Sequence, residues 1–355
     1  MTVHDPIRAD AARRQAAIPD DAAMLRAAAD LAREFAVADP AIYWPDLLAS
    51  ALVGYAALAA AILIDAPAPA ILSGVVSMLA LYRAASFIHE LTHIRKGALP
   101  GFRLGWNLLV GIPLLIPSFM YEGVHTQHHA RTRYGTADDP EYLPLALMKP
   151  WSLPLFIIVA ALAPVGVLLR FGVLAPLSLV APPLRRVVQE RYSALSINPA
   201  YRRRAPEGEF ARQWAWQETG ASLFALALLG SLFLVGWKPL LVYMAVHSGM
   251  TVINQLRTLV AHLWENEGDA MTVTAQYLDS VNVPPPSPFA AIWAPVGLRY
   301  HALHHLLPSV PYHALGKAHA RLMAALGDQS PYRRGNYAGM WPLVGKIARS
   351  TMIRR

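Results

Sequence analysis

This 355-residue chain is too apolar for an ordinary soluble domain, because hydrophobic residues make up 55% of it and charged residues only 15%. It contains no cysteine, which excludes disulfides, thiolate metal ligands and iron–sulfur clusters. A net charge of +8 could suit nucleic acid, but in an apolar chain excess Lys and Arg more often mark cytoplasmic loops, so we expect a membrane protein without a nucleic-acid partner.

The first 45 residues carry interspersed charges and no apolar core of the kind a secretory signal needs, which predicts a cytoplasmic N-terminal segment. Between residues 20 and 39 apolar residues recur at helical spacing, with Asp20 or Asp21 as the expected N-cap. This helix either lies at the membrane face or is a solvated lead-in helix.

Two long apolar stretches follow, at residues 47–64 and 70–88, and each is about long enough to cross a hydrocarbon core of roughly 30 Å. The second is followed by Arg95 and Lys96, so the positive-inside rule places its end in the cytoplasm. That end carries the sequence HELTH, in which His89 and His93 share one helical face.

The next apolar stretch, residues 106–120, is short for a crossing and contains two prolines, so we expect a re-entrant or interfacial element. A full crossing would also place the following histidine run on the opposite side of the membrane from HELTH. That second run is HTQHH, which contains His125, His128 and His129.

Residues 151–183 are apolar but are interrupted by prolines and Arg170, with cytoplasmic-type loops on both sides, so a broken hairpin or an interfacial segment is expected. Residues 214–235 and 239–261 form a predicted transmembrane pair joined by a tight turn. The second helix of this pair returns to the cytoplasm at His262.

A third histidine run, HALHH, follows the proline-rich residues 284–288, which must be extended or turned. It contains His301, His304 and His305. Beyond it, residues 313–326 have the pattern of an amphipathic helix, on which His313 and His319 are expected as surface residues.

These elements predict an all-α membrane protein with about four transmembrane helices, re-entrant or interfacial segments, and a cytoplasmic helical cap that carries the histidine runs. The expected division is a cytoplasmic segment at residues 1–45, a membrane domain at 46–330 and a basic tail at 331–355.

The three runs supply eight histidines, and spacings of three and four residues put the imidazoles of each run on one side of a helix. Imidazole binds iron, zinc, copper and nickel, so the ligand type does not name the metal. Eight ligands exceed the need of a single zinc ion but suit two ions with about four or five ligands each, and His262 is a ninth candidate.

The order H-x-x-x-H, H-x-x-H-H, H-x-x-H-H between apolar segments resembles the integral-membrane fatty acyl desaturase and hydroxylase family, over about residues 47–322. His262 matches by position a metal-binding histidine of stearoyl-CoA desaturases. The asparagine found four residues earlier in those enzymes is absent, since Thr258 stands there.

The resemblance implies a centre of two iron ions that uses dioxygen and two electrons on a lipid acyl chain. Removal of two neighbouring hydrogens gives a double bond, and we expect this desaturation as the main activity. Hydroxylation by the same centre is the alternative, because substrate positioning decides between the two outcomes.

Other residues are expected to support the centre. Glu90, Asp138 and Asp139 either hydrogen bond to ligand imidazoles or take part only in local loop structure. No cytochrome b5 signature is present, so the electrons must come from a separate donor of the ferredoxin, rubredoxin or cytochrome b5 type. A composition rich in Ala and Arg points to a bacterial inner membrane, with the active site facing the cytoplasm.

Two rival functions use part of the same evidence. HELTH is also the H-E-x-x-H signature of zinc metalloproteases, with Glu90 as general base, but that reading leaves the other two runs without a role. A membrane metal carrier would need ligands spread through the bilayer, whereas all three runs fall on one predicted face.

Overall fold

The computed structural model describes residues 10, 13–95 and 97–353, and within them the chain forms helices and isolated bridges with no strand. The predicted all-α fold is therefore confirmed. In chain order the α-helices are α1 Ala22–Glu34, α2 Pro40–Leu63, α3 Pro67–His93, α4 Phe102–Trp106, α5 His125–His128, α6 Ser152–Leu169, α7 Ala175–Ser178, α8 Pro182–Arg191, α9 Gly208–Val235, α10 Lys238–Leu259, α11 Val273–Asp279, α12 Ala290–Trp293, α13 His301–Leu306, α14 Tyr312–Ala325, α15 Pro331–Arg334 and α16 Met340–Ala348. Lys96, Arg354 and Arg355, which entered the topology and tail predictions, lie outside the described residues.

Four helical segments of the described chain are long and apolar enough to cross a membrane: α2, α3, the continuous segment Ser152–Ser178, and α9. The expected number of about four is confirmed, but the four segments include Ser152–Ser178 in place of the predicted span at residues 239–261. The predicted span at residues 239–261 appears as α10, which is less apolar because it carries His247, Asn254 and Gln255. It nevertheless packs against α2, α3, α6 and α9, so it lies among the apolar helices.

The short apolar stretch after α3 forms the predicted re-entrant element. The chain runs inward through α4 and a π-helical turn at Asn107–Gly111, then returns through a 3-10 turn at Ser118–Met120. The buried Asn107 side chain joins the two arms, since it donates to Ser118 Oγ (2.9 Å) and accepts from the Ser118 backbone N–H (2.8 Å). An ion pair of 2.8 Å between Arg103 and Glu122 closes the mouth of the loop. Both arms therefore begin and end on the same side.

A broken hairpin or an interfacial segment was expected at residues 151–183. The broken hairpin is wrong, because Ser152–Ser178 is one continuous helical segment with a π-helical turn at Arg170–Leu174. Pro164 has no N–H for the carbonyl of Ala160, which would normally weaken the helix there. The Thr251 hydroxyl of α10 donates to that carbonyl (2.6 Å), and Ser248 donates to the carbonyl of Ala161 (2.6 Å). A neighbouring helix thus satisfies the groups that proline frees.

The N-terminal helix belongs to the histidine-bearing half of the molecule. Asp21 is its N-cap and accepts from the Met24 backbone N–H at 2.7 Å, as one of the two expected positions. Met24, Ala28 and Leu31 bury in a cluster with residues of α13 and α14. The helix is therefore not merely solvated, because its apolar face covers the histidine-bearing segments.

The expected amphipathic helix near the C-terminus is present as α14. His319 is not a surface residue, as it is only 8% exposed and its Nδ1 lies 2.8 Å from the Tyr332 hydroxyl. The tail expected after residue 330 contains α15, whose Tyr332 covers this histidine. The sequence showed the periodicity of the helix, but it did not show that Tyr332, which lies beyond the helix, buries His319.

The turn between α2 and α3 lies beside the turn between α9 and α10. Lys238 joins them, since its Nζ lies 3.3 Å from Asp65 Oδ1 and donates to the Ile64 carbonyl at 3.5 Å. These turns form one end of the helical bundle. The histidine run at the C-terminal end of α3 therefore lies at the other end.

We expect Thr251→Val to lower the free energy of unfolding by about 1–3 kcal/mol, because the Ala160 carbonyl then has no partner in an apolar region. Thr251→Ser keeps the hydroxyl and is the matched control, with most of the stability retained. Thermal unfolding of both variants in detergent micelles measures the effect. A valine variant as stable as the serine variant would contradict this role of the hydroxyl.

Candidate metal centre

Nine histidines of the described chain fall into two compact groups, and the possible ligand atoms within each group lie within 4.8 Å of one another. These are the eight histidines of the three runs together with His262. The first group contains His89, His93, His125, His129 and His304, and the second contains His128, His262, His301 and His305.

Short helical segments deliver these side chains from distant parts of the sequence. The first run occupies the last turn of α3, the second run forms α5 and its C-cap, and the third run forms α13. Spacings of three and four residues place each set on one helical face. The second and third runs each divide between the two groups, so neither group is built from one segment.

His262 and α13 are positioned by a compact set of backbone contacts. His262 follows α10 and forms an antiparallel bridge with Ser280. The fully buried Asn282 lies two residues further on, and its Oδ1 accepts from the Leu303 N–H in the first turn of α13 at 2.9 Å. One short segment therefore fixes both His262 and the third run.

The imidazoles of each group turn their Nε2 atoms toward one another. In the first group, Nε2 of His129 lies 2.9 Å from that of His125 and 3.2 Å from that of His304. In the second group, Nε2 of His301 lies 2.9 Å from that of His262 and 3.1 Å from that of His305. Each group thus gathers basic nitrogen atoms around a small volume.

Carboxylates hold the outer nitrogen atoms of two imidazoles. Nδ1 of His128 lies 2.9 Å from Oδ2 of Asp139, and Nδ1 of His125 lies 2.9 Å from Oε1 of Glu141. A hydrogen on Nδ1 that is donated to a carboxylate leaves the lone pair of Nε2 free to bind a metal. This is the usual arrangement around histidine ligands of metal ions.

His262 has a comparable outer contact through a phenol. The Tyr134 hydroxyl lies 2.8 Å from Nδ1 of His262 and donates to Oδ2 of Asp279 at 2.8 Å. Sequence reasoning missed Glu141, Tyr134 and Asp279. Glu141 lies only two residues after Asp139 and could have been included by proximity, whereas Asp279 is brought to the site by the bridge at His262 and has no local signal.

The expected supporting carboxylates lie in three different environments. Asp139 is fully buried against His128, whereas Asp138 is exposed, and the described structure records no contact between Asp138 and an imidazole. Glu90 accepts from the Tyr43 hydroxyl and from the Tyr312 backbone N–H (3.1 Å), and it lies 3.8 Å from His89 Nδ1. Both hydrogen bonds fall on Oε2, so they tie Glu90 to α2 and α14 rather than to an imidazole.

Burial keeps most of these imidazoles neutral. It lowers the pKa of His125, His129 and His305 well below the usual value, and neighbouring imidazoles add to the effect. His128 differs: burial alone would lower its pKa, but the Asp139 carboxylate outweighs burial and raises it. Burial also raises the pKa of Glu141 to about 7. A neutral imidazole is the form that binds metal.

Several ring nitrogen atoms of the two groups, some inner and some outer, have no hydrogen-bond partner among the described residues. Both ring nitrogens of His89 are buried without a hydrogen bond in the described chain, as are Nδ1 of His301 and Nδ1 of His304. A buried polar atom without a partner is costly, and a bound cation would satisfy the lone pairs aimed inward. All donors are nitrogen atoms, which suits a transition metal. The two groups therefore fit two metal ions.

The chain belongs to the fatty acid desaturase family, whose model matches residues 66–336, and so to a class of membrane oxidoreductases that act on lipids. Within that class it is similar to a protein named "Ceramide hydroxylase" from Caulobacter vibrioides (strain NA1000 / CB15N). The two are 49% identical over 331 residues, which cover 93% of this chain and 94% of that protein. A search of solved structures gave no significant match.

We expect Asp139→Asn to weaken metal binding about 10- to 100-fold, because the amide cannot accept the His128 Nδ1–H as a carboxylate does. Asp138→Asn makes the same chemical change at the exposed neighbouring position and should leave metal binding unchanged. Elemental analysis after dialysis against a graded series of chelator concentrations measures the difference. Equal metal retention by the two variants would contradict the role of Asp139.

Proposed function

We propose that this chain is a ceramide hydroxylase, which adds one oxygen atom to a carbon of a ceramide in the membrane. The observation that carries this proposal is the 49% identity to the Caulobacter protein of that name, spread over 93% of this chain. The similarity includes all three histidine runs within a family match of residues 66–336. Identity of this extent favours a shared substrate class as well as a shared centre.

Hydroxylation thus replaces desaturation, which the sequence led us to expect as the main activity. Desaturation and hydroxylation use the same histidine pattern, so the motifs alone favour neither. The name of the relative favours hydroxylation, and the substrate changes with it from a simple fatty acyl chain to an amide-linked lipid. The choice between the two reactions depends on how the carbon chain is held against the centre.

The proposed centre contains two iron ions, one for each histidine group. His89, His93, His125, His129 and His304 would hold one ion, and His128, His262, His301 and His305 the other. When bound, this centre supplies the activation of dioxygen that an unactivated C–H bond requires. The overall reaction consumes one dioxygen, two electrons and two protons for each C–H bond, and gives one C–OH group and one water.

The protein residues orient the ligands and keep water out. His125, His128 and His304 are each at most 2% exposed, so little bulk water reaches their inner nitrogens. Asp139 and Glu141 hold the outer nitrogens of His128 and His125 and fix the ring orientation. The Tyr134 hydroxyl keeps its own proton directed to Asp279 beside His262.

A separate protein must supply the electrons, since the chain has no cysteine for an iron–sulfur cluster. We propose a donor of the ferredoxin, rubredoxin or cytochrome b5 type. We also propose a bacterial inner membrane with the histidine end facing the cytoplasm, because arginines cluster around the second run. This orientation would give a cytoplasmic donor access to the centre.

Expression of the chain in bacteria that contain unmodified ceramide tests this function. We expect a new ceramide heavier by one oxygen atom, with that oxygen derived from isotopically labelled dioxygen. His304→Ala should abolish the product and lower the bound iron, because it removes one ligand of the first group. Lys317→Ala, a change on the exposed face of α14, is the control and should leave the product unchanged.

The other outcomes identify the alternatives. A ceramide lighter by two hydrogen atoms would restore desaturation, and an unchanged ceramide with a modified free fatty acid would remove the proposed substrate. Purified protein with one zinc ion in place of two irons would contradict the di-iron centre.

A further inference from the structure

The last turns of α10 carry an arginine beside the metal centre that the proposed metal sites do not use. Arg257 lies five residues before His262, and its Nη2 donates to Asn254 Oδ1 at 2.9 Å. Its Nε is buried and has no hydrogen-bond partner in the described chain. One donor of the guanidinium is therefore available to a ligand.

Two other arginines in the long helical segments have carboxylate partners. Arg83 pairs with Asp46 at 2.5 Å, and Arg170 pairs with Glu218. For Arg257 the described chain offers no carboxylate within salt-bridge distance, and an amide oxygen is its nearest recorded acceptor. A cation among apolar helices without an anionic partner is costly, and such residues commonly mark a functional site.

Arg257 lies where the helical bundle meets the candidate metal centre. It lies on α10 five residues before His262 of the second group, and α10 packs against α3, which carries Tyr82 and, at its end, His89 of the first group. Tyr82 and His89 are seven residues apart on one face of α3, a separation of about 10 Å at 1.5 Å per residue. The Tyr82 hydroxyl donates to the Trp293 carbonyl at 2.9 Å, so α12 also borders this region.

A metal-filled centre would make the position of Arg257 more costly, since two cations would then lie near its own charge. An electron-rich ligand would relieve that cost. A ceramide offers such ligands, because its amide carbonyl and hydroxyl oxygens accept hydrogen bonds strongly from a charged donor. An alkyl chain without these oxygens offers none.

We propose that Arg257, with Asn254 beside it, binds an oxygen of the ceramide head and so determines which carbon lies at the metal centre. This assignment rests on the ceramide hydroxylation proposed above. The held oxygen and the oxidised carbon are expected within a short stretch of the lipid, because Arg257 lies only five residues before His262. Hydroxylation is therefore expected at one carbon near the head of the lipid.

The test compares the full-length protein with Arg257→Gln and Arg257→Lys in membranes supplied with ceramide and the electron donor system. We measure KM and kcat for ceramide, the position of the new hydroxyl group by tandem mass spectrometry, and the iron bound to each purified variant. Arg131→Gln is the matched control, because it removes an exposed arginine whose partner is Asp20.

For Arg257→Gln we expect unchanged iron, a KM raised at least about tenfold, which corresponds to one charge-assisted hydrogen bond, and hydroxyl groups at more than one carbon. Arg257→Lys should give a smaller rise in KM, since it keeps the charge but loses the planar donors. Arg131→Gln should match the native protein. If the glutamine variant does not accumulate in the membrane, the KM and the hydroxyl position of the lysine variant decide the test.

Retained iron with unchanged KM and an unchanged hydroxyl position would overturn the inference, and so would a fall in kcat alone. Loss of iron in both Arg257 variants would also overturn it, because the residue would then be structural. Failure of the proposed function is seen separately, as a native protein that does not hydroxylate ceramide at all.

Discussion

The structure depends on gathering nine imidazoles, six buried and three half-buried, in two small groups with basic nitrogens aimed inward. Each ring brings two polar nitrogen atoms, and only some find protein partners, such as Nδ1 of His128 at Asp139. An interior of this kind does not stabilise itself, since unpaired buried nitrogens are costly. Contacts away from the rings must hold the segments together. Glu90 does this by accepting from Tyr43 of α2 and from the first turn of α14, which joins three helices beside His89.

Much of the fold was predictable because the local sequence encodes a membrane helix as a run of apolar residues of the right length. The re-entrant loop was also predictable, since its shortness and prolines lie within the segment. The continuous helix through Pro164 was not. Its integrity depends on the hydroxyls of Ser248 and Thr251, which lie some ninety residues away and appear in no pattern of the segment itself.

The candidate site divides in the same way. The spacing of histidines within each run predicts a shared face, so the runs could be found from local sequence. The outer partners of His262 could be found only from the fold. Tyr134 contacts His262 from more than a hundred residues away, and Asp279 is brought to Tyr134 by the bridge between His262 and Ser280. The kind of lipid was less accessible still. The lipid contact proposed for Arg257 has no local signal, because the unpartnered guanidinium nitrogen that suggests it is seen only in the fold.

The helix α1 packs on α14, with Glu34 and Arg321 paired at 3.0 Å, and Asp21 donates its backbone N–H to Thr274. Synthesis runs from the amino end, so α1 is made nearly three hundred residues before α14 and must wait without its partner in that interval. The third histidine run arrives in the same late interval. Both histidine groups take members from this run, so neither group is complete until residue 305 has been made.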